Sequence, residues 1–154
     1  MVIYADTRQK SGKHEKKHSQ IESLGYELVH KKLDVGDYII DGNDFLSVDT
    51  KQNLGELYNN LLNDTGRFMR EVRRAHESGI KLIVLTEQGN IKNIDDIAKW
   101  TNKFGKAPGS VLRDRVLRVH YAYGVEFLFC DKRVTGKKIV ELLGGTSNGY
   151  CRNN

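Results

Sequence analysis

The sequence predicts an α/β fold in which helices flank one mixed central sheet, and two patterns carry that prediction. Early in the chain, two strand-like segments are separated by the turn at residues 41–44, which is typical of an antiparallel hairpin. Later, strand-like segments alternate with segments of helical periodicity, which is typical of parallel strands joined by helices. Because 154 residues suit one domain, we expect both kinds of pairing in a single sheet.

The first third of the chain is predicted to hold four strands and one helix. Residues 2–6 are short and mostly apolar, as in a strand. A basic, polar stretch then leads into a helix that ends at Gly25, since glycine commonly terminates helices. The strands that follow are predicted at residues 26–33, 35–40 and 45–50, and the last two form the hairpin.

Helical periodicity dominates the rest of the chain. Leu54, Leu57, Tyr58 and Leu61 recur at the spacing of one helix face. After a break at residues 63–66, a second helix carries an apolar stripe of Phe68, Val72 and Ala75 and ends near Gly79. The remaining predicted elements are a buried strand at 81–87, helices at 91–104 and 112–123, a strand at 125–130 and a helix at 135–143.

Composition indicates a globular protein with an anionic partner. No apolar run approaches the roughly 20 residues that cross a membrane, and the start of the chain lacks a signal peptide's features. We therefore expect one domain over residues 1–143, a flexible tail over 144–154, a cytoplasmic location and no membrane contact. The net charge of +5 favours nucleic acid as partner, although a solvated basic surface is the alternative. Cys130 and Cys151 are expected to be reduced and without a chemical role.

The predicted hairpin places two acids and a lysine at the rim of the sheet. Asp37 follows a glycine in the first strand, and Asp49 and Lys51 are two residues apart in the second, so they share a face. Two converging carboxylates suit Mg²⁺ or Mn²⁺, and a nearby lysine can position a water molecule or act as a base. An ordinary charged surface hairpin is the alternative, and the residues alone leave both open.

Residues 14–18 match the zinc-peptidase pattern H-E-x-x-H, in which two histidines bind zinc and the glutamate acts as base. Here the motif is flanked by lysines and no apolar stripe precedes it. A solvated basic helix start, able to contact a DNA backbone, is therefore the preferred interpretation, with the zinc peptidase as a minor alternative.

Arginines recur at helical spacing in two places. Arg67, Arg70 and Arg74 lie beside the apolar stripe of their predicted helix, where they are suited to bind phosphates. The arginines at residues 113, 115 and 118 are interpreted as a solvated charged face. Glu87 ends a predicted central strand, and it either approaches the hairpin or faces solvent.

Several short motifs occur in a fixed order along the first 87 residues. They are Asp6-Thr7-Arg8, Gly36-Asp37-Tyr38, Val48-Asp49-Thr50-Lys51, Gly66-Arg67-Phe68 and an apolar strand that ends at Glu87. In order and spacing this set resembles the ERCC4-type nuclease domain of the PD-(D/E)XK superfamily, the type found in XPF, Mus81 and Hef nucleases. The compact form resembles phage- and prophage-encoded members.

The resemblance implies a restriction-endonuclease-like fold and a metal-dependent DNA endonuclease. Asp37, Asp49 and the Thr50 carbonyl would bind Mg²⁺ or Mn²⁺, and Lys51 would serve the attacking water. Asp6 and Arg8 would support the site or contact the scissile phosphate. The residues expected to contact DNA are Arg8, Arg67, Arg70 and Arg74.

The resemblance also implies a substrate and an assembly. The substrate would be branched or flapped DNA in recombination, repair or replication, and nuclease domains would pair in a homodimer. Asp49 stands where the family has Glu, and this shorter acid can still bind a metal. Thr50 stands where the family has Arg, Gln9 where it has Glu, and Gly55 where it has Asp. These three departures favour one alternative, a catalytically weak or inactive DNA-binding module of the same fold.

Overall fold

The centre of the protein is a sheet of six strands within the residues that this computed structural model describes, namely 1–10, 12–102 and 107–144. Across the sheet, the strands follow the order 2-1-3-4-5-6 of their positions in the chain. The strands are β1 (Val2–Ala5), β2 (Glu27–His30), β3 (Tyr38–Ile40), β4 (Asn43–Lys51), β5 (Lys81–Glu87) and β6 (Glu126–Cys130).

Both kinds of strand pairing occur, so the predicted mixed sheet is confirmed. β1 is parallel to β2, and β4, β5 and β6 are parallel to one another. β3 is antiparallel to both β1 and β4, and it forms the predicted hairpin with β4. Because β3 runs against its neighbours, its first residue, Tyr38, lies beside Ala5 at the end of β1 and beside Val48 in the last half of β4. Three separate chain segments therefore meet at one end of the sheet.

Helices cover both faces of the sheet. A π-helical turn at Asn59–Asn63 continues the second helix, and 3₁₀ turns span Ile94–Lys99 and Lys132–Val134. The helices are α1 (Glu15–Ser23), α2 (Leu54–Tyr58), α3 (Gly66–Glu77), α4 (Gly109–Tyr123) and α5 (Thr135–Leu143).

The alternation of side chains along β5 divides the core into two parts. Leu82 and Val84 pack with α2, α3 and α4, whereas Ile83 and Leu85 pack with α1 and α5. Successive strand side chains point to opposite faces, so a strand covered on both sides must be apolar throughout. Burying each of these side chains contributes about 1.5–3 kcal/mol. The apolar run at residues 82–85 therefore identifies β5 as a central strand.

The predicted strand at residues 35–40 is wrong in its first half. Gly36 has φ of +74°, and a Cβ atom there would lie 2.0 Å from Ser47 Oγ, so the backbone bends where a strand was expected. The bend puts Val35 in the core beneath α3 and Tyr38 in the core beneath α1. It also leaves Asp37 directly ahead of β3, at the end of the sheet.

The predicted helix at residues 91–104 is largely replaced by one 3₁₀ turn. The Asn93 side chain accepts a hydrogen bond from Asp96 N–H and caps the turn, and Trp100 is extended and ends it. The first turn of α4 packs against this backbone, since a Cβ atom on Gly109 would lie 2.2 Å from the Ile97 carbonyl oxygen. Phe104 lies outside the described residues.

The end of α5 matches the predicted helix at 135–143. Gly144 takes a left-handed conformation with φ of +110° and terminates it, as a glycine C-cap commonly does. The rest of the predicted tail, including Cys151, lies outside the described residues. Among the described helices, none has the length and apolar character needed to span a membrane.

Candidate active site

The end of the sheet where β1, β3 and β4 meet holds the acids that the sequence singled out. Asp6 directly follows β1, Asp37 directly precedes β3, and Asp49 is in β4, two residues before its end. Asp6 N–H donates to the Asp37 carbonyl at 2.8 Å, and Asp37 N–H donates to the Val48 carbonyl at 2.8 Å. The three acids are thus fixed to one another through the main chain.

Asp49 and Lys51 lie on the same face of β4 and form a buried ion pair. Lys51 Nζ is 2.9 Å from Asp49 Oδ2, and each side chain is at most a tenth exposed. The ammonium also lies 4.7 Å from the centre of the Phe68 ring. Burial favours the neutral amine, but the Asp49 carboxylate more than offsets it, so the pKa of Lys51 is raised and Nζ keeps its proton.

Asp37 is held by the residue between that pair. Its Oδ2 accepts hydrogen bonds from the Thr50 N–H at 2.9 Å and from Thr50 Oγ1 at 3.0 Å. Desolvation raises the pKa of Asp37 well above its ordinary value, and the nearby Asp49 charge raises it further. Thr50 therefore orients Asp37, while a metal-ligand role for its carbonyl stays a prediction.

Asp6 and Arg8 brace the loop beside the site. Asp6 Oδ1 accepts the Leu33 N–H at 2.9 Å, and Oδ2 accepts Arg8 Nε at 2.9 Å. Arg8 donates in turn to the Leu33 carbonyl. Both oxygens of Asp6 are therefore engaged within the protein, whereas half of the Arg8 side chain is exposed and faces the site.

These residues open onto one cavity of about 470 Å³, with arginines on its rim. Arg67, Arg70 and Arg74 all project toward it from α3 and are exposed. Arg74 donates to the Asp34 carbonyl at 2.7 Å and so also fixes the loop before Gly36. The cavity combines buried carboxylates at its base with cations at its mouth, an arrangement that suits a phosphate ester.

A family model described as the ERCC4 domain matches residues 5–142. The chain belongs to the ERCC4 domain family. The family resemblance read from the short motifs is thereby confirmed. No curated protein sequence matches the chain.

Two solved structures of XPF from Aeropyrum pernix share the fold of this ERCC4 domain. One gives a TM-score of 0.72 at 19% identity and covers 99% of this chain and 69% of that chain. The other, XPF in complex with DNA, gives 0.70 at 19% identity and covers 96% and 66%. The chain thus spans about two thirds of each XPF chain. The predicted fold class is confirmed as that of the XPF nuclease domain.

Glu71 is a site residue of this ERCC4 domain that the sequence reading missed. It lines the cavity from α3, and its Oε2 accepts the Gly36 N–H at 3.1 Å, directly before Asp37. Burial raises the pKa of Glu71 to about 7, and the Asp49 charge contributes. A signal was present, since Glu71 lies four residues after Arg67 and three before Arg74, on the same helix face.

The donor set of the cavity fits a hard divalent cation. Asp49 Oδ2 is buried and has no hydrogen bond of normal geometry, despite its ion pair with Lys51. Within the described residues, no three or more His, Cys, Asp or Glu side chains are grouped to hold a metal ion. Asp37 and Asp49, supplemented by backbone oxygen and water, match the few carboxylates that Mg²⁺ sites commonly use.

Glu87 neither approaches this cavity nor faces solvent. Its Oε1 accepts from Lys17 Nζ at 3.1 Å, and its Oε2 accepts from Thr135 Oγ1 at 2.6 Å. Lys17 is only 4% exposed, so the expected solvated helix start is wrong at that residue. The helical period puts Lys17 on the face of α1 that carries Ile21, four residues later, and this face packs against the sheet.

The histidines of the H-E-x-x-H pattern make contacts of their own. The rings of His14 and His18 are stacked with centroids 6.0 Å apart, and His18 Nε2 shares a hydrogen bond of 2.9 Å with the Tyr38 hydroxyl. Burial lowers the pKa of His18 to about 4, with a contribution from His14. These contacts pack His18 against Tyr38 of β3. His14 also lines the cavity, and its buried Nδ1 has no hydrogen bond from the described residues.

The second arginine cluster is partly structural. Arg113 pairs with Asp114 at 3.1 Å, and Arg115 donates to the Leu61 carbonyl at 2.9 Å. Arg118 is exposed on α4. None of the three lines the cavity described above.

Proposed function

We propose that this ERCC4 domain is a metal-dependent DNA endonuclease that hydrolyses phosphodiester bonds, with branched or flapped DNA as its substrate. The nuclease-domain fold fits such an activity. The solved XPF structure in complex with DNA supports DNA as the ligand. Pairing of two such domains in a homodimer is part of the proposal.

The observation that carries the proposal is the juxtaposition of Asp37 and Asp49 at the base of an open cavity. Asp49 is only 5% exposed. Desolvation and the nearby Asp49 charge both raise the pKa of Asp37, and Lys51 supplies one positive charge through its ion pair with Asp49. Removing a carboxylate from water lowers stability unless hydrogen bonds and positive charges compensate for the lost solvation, so such a group is unfavourable in a purely structural role. The arrangement is therefore best explained as a site that binds a cation.

The two carboxylates would hold Mg²⁺ or Mn²⁺, which when bound lowers the pKa of a coordinated water and neutralises charge on a phosphate oxygen. Thr50 keeps Asp37 in place through two hydrogen bonds. Glu71 fixes the bend at Gly36 that positions Asp37. Arg8 and Arg67 would orient the scissile phosphate, with Arg70 and Arg74 on the flanking phosphates.

Lys51 acts as a cation in this proposal. Its raised pKa keeps Nζ protonated at neutral pH, so Nζ donates hydrogen bonds and does not accept a proton from water. It would orient the attacking water and stabilise negative charge that develops on the phosphate in the transition state. This role differs from that of a general base, which the sequence left open.

Cleavage of defined DNA structures tests the proposal. Forked, flapped and four-way DNA are incubated with the protein and Mg²⁺ or Mn²⁺, and binding is measured separately in EDTA. We expect the wild type to cleave at least one substrate. Asp37→Asn, which is nearly isosteric, should bind DNA and fail to cleave it.

Asp44→Asn is the matched control, since Asp44 is an exposed acid in the same hairpin. It should cleave like the wild type. Binding without cleavage by the wild type would favour the non-catalytic DNA-binding module. Equal cleavage by Asp37→Asn and the wild type would disprove the site assignment.

A further inference from the structure

A second basic surface lies on the opposite side of the catalytic cavity from the arginines of α3. It is a groove of about 830 Å³ between the start of α1, the 3₁₀ turn at Lys132–Val134 and the residues after β4. Lys51 lines the cavity, and the next residue, Gln52, lines the groove. On the other wall, His14 lines the cavity and the preceding residue, Lys13, lines the groove. The groove therefore begins where the cavity ends.

The charges along the groove leave an excess of cations. Lys13, Lys16 and Lys132 are exposed, and within the described parts of the chain none of them is paired with a carboxylate. Lys17 is neutralised by Glu87, and Arg133 by Asp131 at 2.8 Å. The groove has three unpaired lysines and one exposed acid, Glu15, so it carries an excess of two positive charges.

The walls of the groove are fixed to one another. Gln20 of α1 donates to the Arg133 carbonyl at 3.0 Å, and its Oε1 accepts the Lys137 N–H at 2.8 Å. Gly136 packs so closely that a Cβ atom there would lie 2.6 Å from the Lys17 carbonyl oxygen. With the Lys17–Glu87–Thr135 contacts beneath, the lysines project from a rigid support. A rigid cationic groove needs little reordering when it binds a polyanion.

From these observations we propose that this groove is a second phosphate-binding site, and that it holds the DNA backbone as it leaves the catalytic cavity. DNA would then contact both helical layers of the fold. The arginines of α3 would bind its phosphates on one side, and Lys13, Lys16 and Lys132 would bind them on the other. The proposal rests on the proposed function, since it takes DNA as the ligand.

The salt dependence of DNA binding tests this site. Affinity for a forked duplex is measured in EDTA by fluorescence anisotropy over a range of salt concentrations. The variant Lys13→Gln/Lys16→Gln/Lys132→Gln should bind about tenfold more weakly or worse. Because each lost phosphate contact removes about 0.9 from the slope of log K against log salt, its slope should be smaller by about 2 to 3.

A control with the same change in charge separates this effect from net charge alone. Lys81→Gln/Lys99→Gln/Arg118→Gln removes three exposed cations at the far end of β5 and beside α4. It should bind almost as the wild type does. Hydroxyl-radical footprinting should also show that the groove variant protects fewer nucleotides on one side of the branch. Thermal unfolding checks that both triple variants are folded.

The results distinguish this proposal from the preceding one. If the wild type binds DNA and the groove variant matches the control in affinity, slope and footprint, the groove is not a phosphate site. The proposed function then stands. If the wild type neither binds nor cleaves any of the DNA structures, the proposed function fails, and the groove proposal fails with it.

Discussion

The described residues contain two buried lysine–carboxylate pairs, Lys51–Asp49 at the candidate active-site cavity and Lys17–Glu87 on the other face of the sheet. Their distances are similar, 2.9 and 3.1 Å, and all four side chains are at most a tenth exposed. Their surroundings differ. Glu87 receives a second hydrogen bond from Thr135, whereas Asp49 Oδ2 has no well-directed hydrogen bond.

The difference shows how the same pair of residue types serves two purposes. The Lys17–Glu87 pair joins α1, β5 and the start of α5, and each charge is compensated, so it contributes to the architecture. The Lys51–Asp49 pair shares its cavity with Asp37 and Glu71, whose pKa values are both raised. Under the proposed function, a bound cation would relieve its excess of acid. The two pairs differ in the completeness of their hydrogen bonding, not in burial or distance, and this difference distinguishes the structural pair from the pair at the proposed metal site.

The largest expected effect comes from removing one carboxylate charge from each pair. Asp49→Asn should reduce cleavage by about 1000-fold or more, since a metal ligand supplies several kcal/mol of transition-state stabilisation. Glu87→Gln should keep cleavage within about threefold of the wild type at temperatures where it is folded. Single-turnover cleavage under saturating Mn²⁺ measures both. Comparable losses in the two variants would remove the distinction between the pairs.

Removing the lysines tests the pairs through stability. Lys17→Met leaves Glu87 buried without its partner and should lower the free energy of unfolding by about 3–5 kcal/mol, with or without metal. Lys51→Met should also destabilise the metal-free protein, but Mn²⁺ should restore part of the loss. Chemical denaturation with and without Mn²⁺ measures this. A Lys17→Met protein that Mn²⁺ restores equally would contradict the comparison.

Glu71 adds a pH dependence to the cavity that contains the Lys51–Asp49 pair. Its pKa in the folded protein is about 7, above the ordinary value of 4.5. The folded state therefore binds more protons than the unfolded state between these values, and metal-free stability should fall as pH rises from about 4.5 to 7. The fall attributable to Glu71 should be about 2–3 kcal/mol.

Glu71→Gln isolates this effect, because the amide oxygen can still accept the Gly36 N–H. The variant should be more stable than the wild type at pH 8 without metal and nearly equal to it at pH 4.5. Denaturation curves across this pH range give the answer. Parallel profiles for the two proteins would show that Glu71 does not titrate in this window.

The smallest expected effect concerns the hydroxyl that completes the structural pair. Thr135→Val retains the shape of the side chain and removes the hydrogen bond to Glu87, which should cost about 1–2 kcal/mol of stability. Cleavage should be unchanged, because Thr135 does not line the candidate active-site cavity. Thermal unfolding and a cleavage assay on the same preparation test both statements. A loss of cleavage without a loss of stability would instead show that the Lys17–Glu87 pair affects the activity of the site that contains Lys51 and Asp49.

Most of the fold was predictable because its elements have strong local signals. The apolar run of β5 and the stripes of α2, α3 and α4 predict buried strands and helix faces from spacing alone. The bend at Gly36 was not predictable, since it depends on how closely Ser47 approaches from the neighbouring strand. The short turn at Ile94–Lys99 likewise follows from the packing of α4 against its backbone.

By itself, the sequence determined the class of fold, the hairpin and the chain segments that carry Asp6, Asp37, Asp49 and Lys51, because strand period and motif order are local properties. Only the tertiary structure decided which charges are compensated. Lys17 and Lys51 are residues of the same type, as are Glu71 and Glu87, and the sequence alone does not distinguish their roles. Lys17 and Glu87 are 70 positions apart, Glu71 and its partner Gly36 are 35 apart, and Lys51 and Asp49 are two apart, so separation along the chain does not predict the partner. Ionisation depends on burial and on neighbours in three dimensions, and these are fixed only when the helices pack on the sheet.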